Sequence, residues 1–505
     1  MSKLFVFGIG GTGSRVLKSL TMLLMAGVKT DVDEIIPIVI EKDSTNGDMV
    51  KTKRLIETYI ATRDKFTHDS GKFFSTKMSL LNNDICLPLK DKKKKFSDYI
   101  DKDKLSKENR AIVEALFSEK ALNMETTEGF RGIPSIGSVV LNQFEQSDIF
   151  RTFANQFKSG DKIFIVSSIF GGTGASGFPL LVKTLRGAQF AKLDTLGTSE
   201  EKAKSTLPNW NAVNEAPIGA ISVLPYFIVG EPNEEGKVNV DSDTFNSKAK
   251  AALTYYAQTL DGEIDYMYYV GDAKNSTFEY HAGGEKQTND AHFVELVSAL
   301  SIIDFANKNV DGRSENTSYN EFGILSPQHK NDEIILDDLH GITKQILVNP
   351  LIQFYAFRQY MKLQFDKQNK YQPWSHNFPK FKKYNFDNVF RQSEAMKNLD
   401  ECLHSFNNWL IEISNKKVHK RSFIPFNLSA DTCAFVNGKS DKCVIVSDWR
   451  YKDWAWLDNE LNKACTSKET QVSESMTKEQ RFLEIFYRAT EQFVKKLIPN
   501  SQDNQ

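Results

Sequence analysis

Residues 161–183 read DKIFIVSSIFGGTGASGFPLLVK, and this stretch constrains the chain more than any other. Ile163-Phe164-Ile165-Val166 is an apolar, β-branched run of the kind that forms a buried strand. Gly171-Gly172-Thr173-Gly174-Ala175-Ser176-Gly177 then turn the chain, and Leu180-Leu181-Val182 open a helix. Strand, glycine-rich turn and helix together aim backbone N–H groups and a helix N-terminus at an anion such as phosphate. Thr173 and Ser176 add hydroxyl donors. No lysine closes the turn, which excludes a Walker P-loop.

The N-terminus repeats the design. A short apolar strand at 4–7 runs into Gly8-Ile9-Gly10-Gly11-Thr12-Gly13-Ser14-Arg15, and a helix is expected over 16–26. Gly8, Gly10 and Gly13 match G-x-G-x-x-G between a strand and a helix. Alone, the motif suits a Rossmann oxidoreductase, a ThiF-like adenylating enzyme, or a phosphate loop of another nucleotide-binding family. A second strand at 35–40 ends in Glu41-Lys42-Asp43; an acid in this position binds ribose in a Rossmann enzyme.

Composition narrows the setting. At 505 residues the chain exceeds one ordinary core, so two or three domains are expected. Its 64 Lys+Arg and 65 Asp+Glu leave a net charge of −1, which carries no general pull toward nucleic acid or membrane. Apolar runs fall short of the roughly 20 residues that a membrane span needs. Five scattered cysteines without a C-x-x-C pair, and an N-terminus without a signal-peptide layout, lead us to expect a cytoplasmic protein.

The signature stretch resembles the GGGTG motif of the tubulin/FtsZ family. Gly171–Gly174 keep the pattern, Phe170 stands at the first glycine position, Ser176 at the last, and Pro179 where FtsZ proteins often carry proline. Other segments resemble the family in the same order. Gly8–Gly13 stand at its first phosphate loop, Asp43 at the Asp of N-T-D-A, and Gly132–Gly137 at G-A-N-P-E-V-G, with Arg131 beside it. Residues 289–307 are similar to its core helix. Asn309-Val310-Asp311-Gly312-Arg313-Ser314-Glu315 resembles the N-x-D-x-x-D loop after that helix, with the last acid one residue late.

The resemblance implies an α/β fold with a mostly parallel sheet, helices on both faces, and a helix-rich α+β C-terminal region. It implies GTP binding, Mg²⁺-dependent hydrolysis and head-to-tail self-association into filaments. Gly8, Gly10, Gly11, Thr12, Gly13 and Gly171 to Gly177 would cradle phosphate. Asp43 would orient the metal or its waters. Arg131 and Gly132 would reach the γ-phosphate, and Asp272, Asn289 and Asn246 are candidates at the nucleoside. Asn309, Asp311 and Glu315 would act on the nucleotide of the next subunit. The alternatives are a nucleotide-dependent scaffold without turnover and a Rossmann-type NAD or ATP enzyme.

We expect a nucleotide-binding domain over 1–305, with 51–128 partly an insertion. A partner-binding or activation-like region over 306–470 and a terminal helix and tail over 471–505 follow. The insertion carries Lys90 and Lys92–Lys95, read as a solvated loop, and an amphipathic helix over 107–122. The many phenylalanines, 36 in all, and the aromatic run 374–383 are read as core packing.

Overall fold

A computed structural model describes residues 2–67, 72–86, 95–126, 130, 133–142, 148–187, 209–230, 244–272, 276–279, 284–322, 333–368, 372–375, 385–419, 421–437, 454–466 and 476–497. The chain divides into two units. The first comprises Met1–Lys18, Asp31–Lys53 and Met78–Leu325; the second comprises Ser19–Thr30, Arg54–Lys77 and Ser326–Gln505.

The first unit is built on a seven-stranded sheet in the order β3-β2-β1-β4-β5-β7-β9. Its members are β1 (Lys3–Ile9), β2 (Glu34–Ile40), β3 (Lys77–Met78), β4 (Lys162–Ser168), β5 (Ile218–Val223), β7 (Tyr266–Val270) and β9 (Ser318–Phe322). Each neighbouring pair from β2 to β9 is parallel. β1, β2 and β4 are almost entirely buried, so they read as continuous apolar runs, as expected of strands covered on both faces. β6 (Phe227–Val229) and β8 (Ser276–Phe278) form a separate parallel pair. Pro225, which has no N–H to give to a ladder, lies between β5 and β6.

Side-chain alternation shows that both faces are covered. Gly8 lies against Gly13 and Leu17 of helix α1 (Gly10–Met25). The next residue, Ile9, points the other way and meets Gly177 of α2 (Gly172–Arg186). Phe5 and Phe7, on the face of Ile9, meet Phe153 edge-on with centroids 5.0 and 5.1 Å away. Phe164, in register with Val6, packs on Phe305 of the core helix α3 (Phe293–Ala306). The α1 start and α3 therefore share one face, and α2 the opposite one.

Both glycine-rich helices start earlier than apolar spacing suggests, because the glycines form the first turn. Pro179 inside α2 supplies no N–H to the carbonyl of Ala175; Tyr256 donates its hydroxyl there instead at 3.3 Å. The expected helix over 107–122 is two pieces, Lys107–Leu116 and Glu119–Leu122, the second capped by Ser118.

The second unit is helical, with α4 (Gly341–Leu363), α5 (Glu394–Ile413), α6 (Ala455–Thr466) and α7 (Lys478–Leu497). Its phenylalanines do pack a core: Phe354 meets Phe406 at 4.8 Å and Phe357 meets Phe486 at 4.9 Å. Trp374 is fully buried, and its indole N–H donates to Asp458, which also accepts from the Tyr360 hydroxyl. Among the described residues no helix is long and apolar enough to cross a membrane.

Candidate functional site

The strand order reverses at β1, between β2 on one side and β4 on the other, which is where open α/β sheets bind ligands beyond their carboxyl ends. Both glycine-rich turns leave the sheet there. A methyl group on Gly10 would lie 3.4 Å from Thr173 Cβ, 3.8 Å from the Gly174 nitrogen and 3.9 Å from a Glu41 carboxylate oxygen. The ends of β1, β4 and β2 thus meet at one point. Gly10 takes φ +71°, a turn that a side chain would strain.

The glycines divide by role. A Cβ on Gly13 would fall 2.4 Å from the Gly8 carbonyl carbon, and one on Gly174 would fall 2.5 Å from Ser168 O. Gly8, Gly13, Gly174 and Gly177 therefore serve close helix-to-strand packing. Gly11 is different: among the described residues its Cβ would meet only the Arg15 guanidinium, at 3.5 Å. Gly171 is the N-cap of α2 and contributes no side-chain cap to the first turn, which begins with Gly172 and Thr173. A helix start of this kind suits an anion. Ser176 is turned inward: its hydroxyl donates to the Gly172 carbonyl at 2.7 Å and abuts Gly137. Ala175 is buried beside it. Arg131 and Gly132 lie outside the described residues.

Two acids follow β2. Asp43 is buried; Oδ1 accepts from the Thr45 N–H and hydroxyl, and Oδ2 from the Gly284 N–H at 2.6 Å. Glu41 accepts from the N–H groups of Lys42 and Asp43, and burial pushes its carboxyl up to about 7 against those hydrogen bonds. Among the described residues no three His, Cys, Asp or Glu side chains form a metal cluster. A magnesium ion here would depend on phosphate oxygens and water with one carboxylate, which is the usual Mg²⁺ arrangement.

Sequence reasoning missed Arg15, whose place in a glycine motif gave no hint of burial. Its guanidinium donates to Glu295 at 2.6 Å, Asp48 at 3.0 Å, Tyr226 at 3.0 Å and the Thr12 hydroxyl at 3.4 Å. Burial works against its charge, yet Tyr226, Glu295 and Asp48 hold it firmly protonated. Burial raises the Asp48 carboxyl in turn. Asn289 joins this network through its N–H to Asp48 at 3.2 Å. His292 caps α3, accepting from the Val294 N–H at 3.0 Å, with Ser276 3.1 Å from its other ring nitrogen. Asp272 sits half-buried after β7, and Asn246 is exposed at the start of the helix Phe245–Thr259.

The loop 309–315 lies at the other edge of the sheet. The core helix α3 begins beside Tyr226, which follows β5, and ends where the Lys162 amine, at the start of β4, donates to the carbonyls of Ala306 (3.0 Å) and Lys308 (2.5 Å). Burial lowers the Lys162 pKa, and Asp31 and Asp311 oppose that shift. Asn309 and Asp311 line a cavity of about 720 Å³ together with Asp161 and Lys162. Glu315 lies beyond the turn at Gly262. A 14-residue helix is about 21 Å long, so Asp311 is out of reach of the glycine turns of its own chain.

No family model matches the chain, and no curated protein does. Among solved structures, CetZ from Methanosaeta thermophila strain DSM 6194 aligns at 16% identity over 61% of this chain and 52% of that one, with a TM-score of 0.26. The alignment thus spans about half of that structure.

Proposed function

We propose that this chain is a tubulin/FtsZ-like nucleotide-binding protein that hydrolyses GTP at contacts between copies stacked head to tail. One observation carries the reading: two phosphate-type turns converge at the carboxyl edge of a parallel sheet, while the acid loop sits at the opposite edge of the same sheet. A site split this way is completed only when the lower edge of one copy meets the upper edge of the next. Gly10, Gly11, Gly172 and Thr173 would hold the phosphates through backbone N–H groups. Mg²⁺ would neutralise phosphate charge, with Asp43 or Glu41 contacting it through water. Asp311 and Glu315 of the adjoining copy would orient a water and take its proton as it attacks the γ-phosphorus, giving GDP and inorganic phosphate.

The test is phosphate release from the purified protein with GTP or ATP across a protein concentration series. GTP-specific release that rises faster than linearly with protein supports hydrolysis between copies. Tight GTP binding without release leaves a nucleotide-dependent scaffold, a reading favoured by the full engagement of Asp43 within the chain. The placement of Glu41 directly after β2 and beside Gly10 favours a third reading, ribose recognition in a dinucleotide enzyme. NAD binding in preference to GTP would establish that one and overturn ours.

A further inference from the structure

The acid loop is gripped at its exit by a buried ion pair. Arg186, in the last turn of α2, donates to Asp265 at 2.9 Å, and both side chains are almost fully buried. The same guanidinium donates to the carbonyls of Glu263 (2.8 Å), Asn214 (2.6 Å) and Ala216 (2.8 Å), gathering the chain ahead of β5 and β7. The second oxygen of Asp265 accepts from the N–H of Ser314, inside the acid loop, while the first also accepts from the Ile218 N–H at 2.6 Å. Arg313 adds bonds to Glu263 (2.9 Å) and to the Gly262 carbonyl (3.1 Å). At the entry, Lys162 holds the carbonyls on either side of Asn307. Asn309, Val310 and Asp311 are thereby suspended between two fixed points and face the cavity.

We infer that Arg186 and Asp265 are positioning residues for the acid loop, so that a copy's ability to complete its neighbour's site depends on this pair and not on its own nucleotide site. The inference rests on the proposed hydrolysis between copies. Two fixed points matter because a carboxylate displaced by about 1 Å from a reacting water loses up to about a hundredfold in rate. A buried ion pair is a rigid anchor, since either charge left alone in the interior is strongly disfavoured. The pair and its partners lie at the edge opposite the glycine turns.

Two variants test it. Asp265→Asn keeps the shape and removes the charge, but it risks misfolding. Arg313→Ala cuts only the half-exposed second grip. Both are compared with wild type for binding of a fluorescent GTP analogue and for phosphate release. We expect unchanged analogue affinity in both, a turnover loss of about tenfold or more for Asp265→Asn, and a smaller loss for Arg313→Ala. The deciding measurement is complementation with Gly11→Asp, which sets a carboxylate in the phosphate path without a packing clash. Each variant alone is slow. Mixed, a nucleotide-loaded Arg313→Ala or Asp265→Asn copy meets the intact acid loop of a Gly11→Asp copy, and release recovers. Wild-type turnover in both grip variants, or no recovery on mixing, overturns the inference. Absence of GTP binding by the wild type overturns the functional reading itself and is read before any variant.

Discussion

The two edges of the central sheet are built in opposite ways. At the carboxyl edge the work is done by residues with little or no side chain: Gly8 against Gly13, Gly10 against Thr173, Gly174 against Ser168. At the amino edge it is done by charged side chains locked in the interior: Arg186 on Asp265, and Lys162 on the end of α3. The backbone cradle is held by close packing at Gly13 and Gly174, which tolerate no added atoms. A suspended loop is held by charge and tolerates no lost partner.

The largest effect expected on that contrast is at the amino edge. Asp265→Ala leaves the Arg186 guanidinium buried without its counter-charge and should cost about 3–5 kcal/mol. An unfolding free energy, from denaturant titration, lowered by less than a fifth of that would show that the carbonyl bonds of Arg186 suffice alone.

Glu41 sharpens the comparison, because it is a buried carboxyl beside Gly10 at the carboxyl edge. Its folded pKa lies above the usual carboxylate value, so the folded chain binds this proton more tightly than the unfolded one. The stability contributed by Glu41 is therefore fully present below about pH 4 and is lost as pH rises through about 7, roughly 3 kcal/mol in all. Glu41→Gln should raise the melting temperature at pH 8 and leave it unchanged at pH 4. An equal shift at both pH values would refute the assignment.

Next comes a paired substitution. Gly13→Ala forces a methyl into the Gly8 backbone and should cost about 1–3 kcal/mol. Gly11→Ala meets only Arg15, so the better helix former should leave stability equal or up to about 1 kcal/mol higher while weakening GTP binding. Equal melting losses for the two would erase the division between packing and ligand glycines. The smallest effect is Arg313→Ala, whose half-exposed bond to Glu263 is worth about 0.2–1 kcal/mol in a thermal melt, even though turnover should fall visibly.

Much of this was legible in the residues. The first strands and both glycine turns followed from apolar runs that end in glycine, since a strand buried on both faces must be apolar and a turn approached by backbone must be small, whereas the mostly parallel α/β sheet was expected from the family resemblance. The buried aromatics of the second unit, Trp374 and Phe386 among them, also followed from composition. Other features could not be read. Ser176 looks like a ligand donor but donates to its own helix. Residues 54–77 read as part of an insertion, yet they group with the second unit.

Sequence alone determined local geometry: which apolar runs become strands and where the chain turns on glycine. Tertiary structure alone decided which charges meet. Arg15 with Glu295 is a pairing across 280 residues, and Arg186 with Asp265 one across 79. Nothing in local spacing encodes such pairs, because burial makes a charge depend on partners that only the completed fold brings within reach.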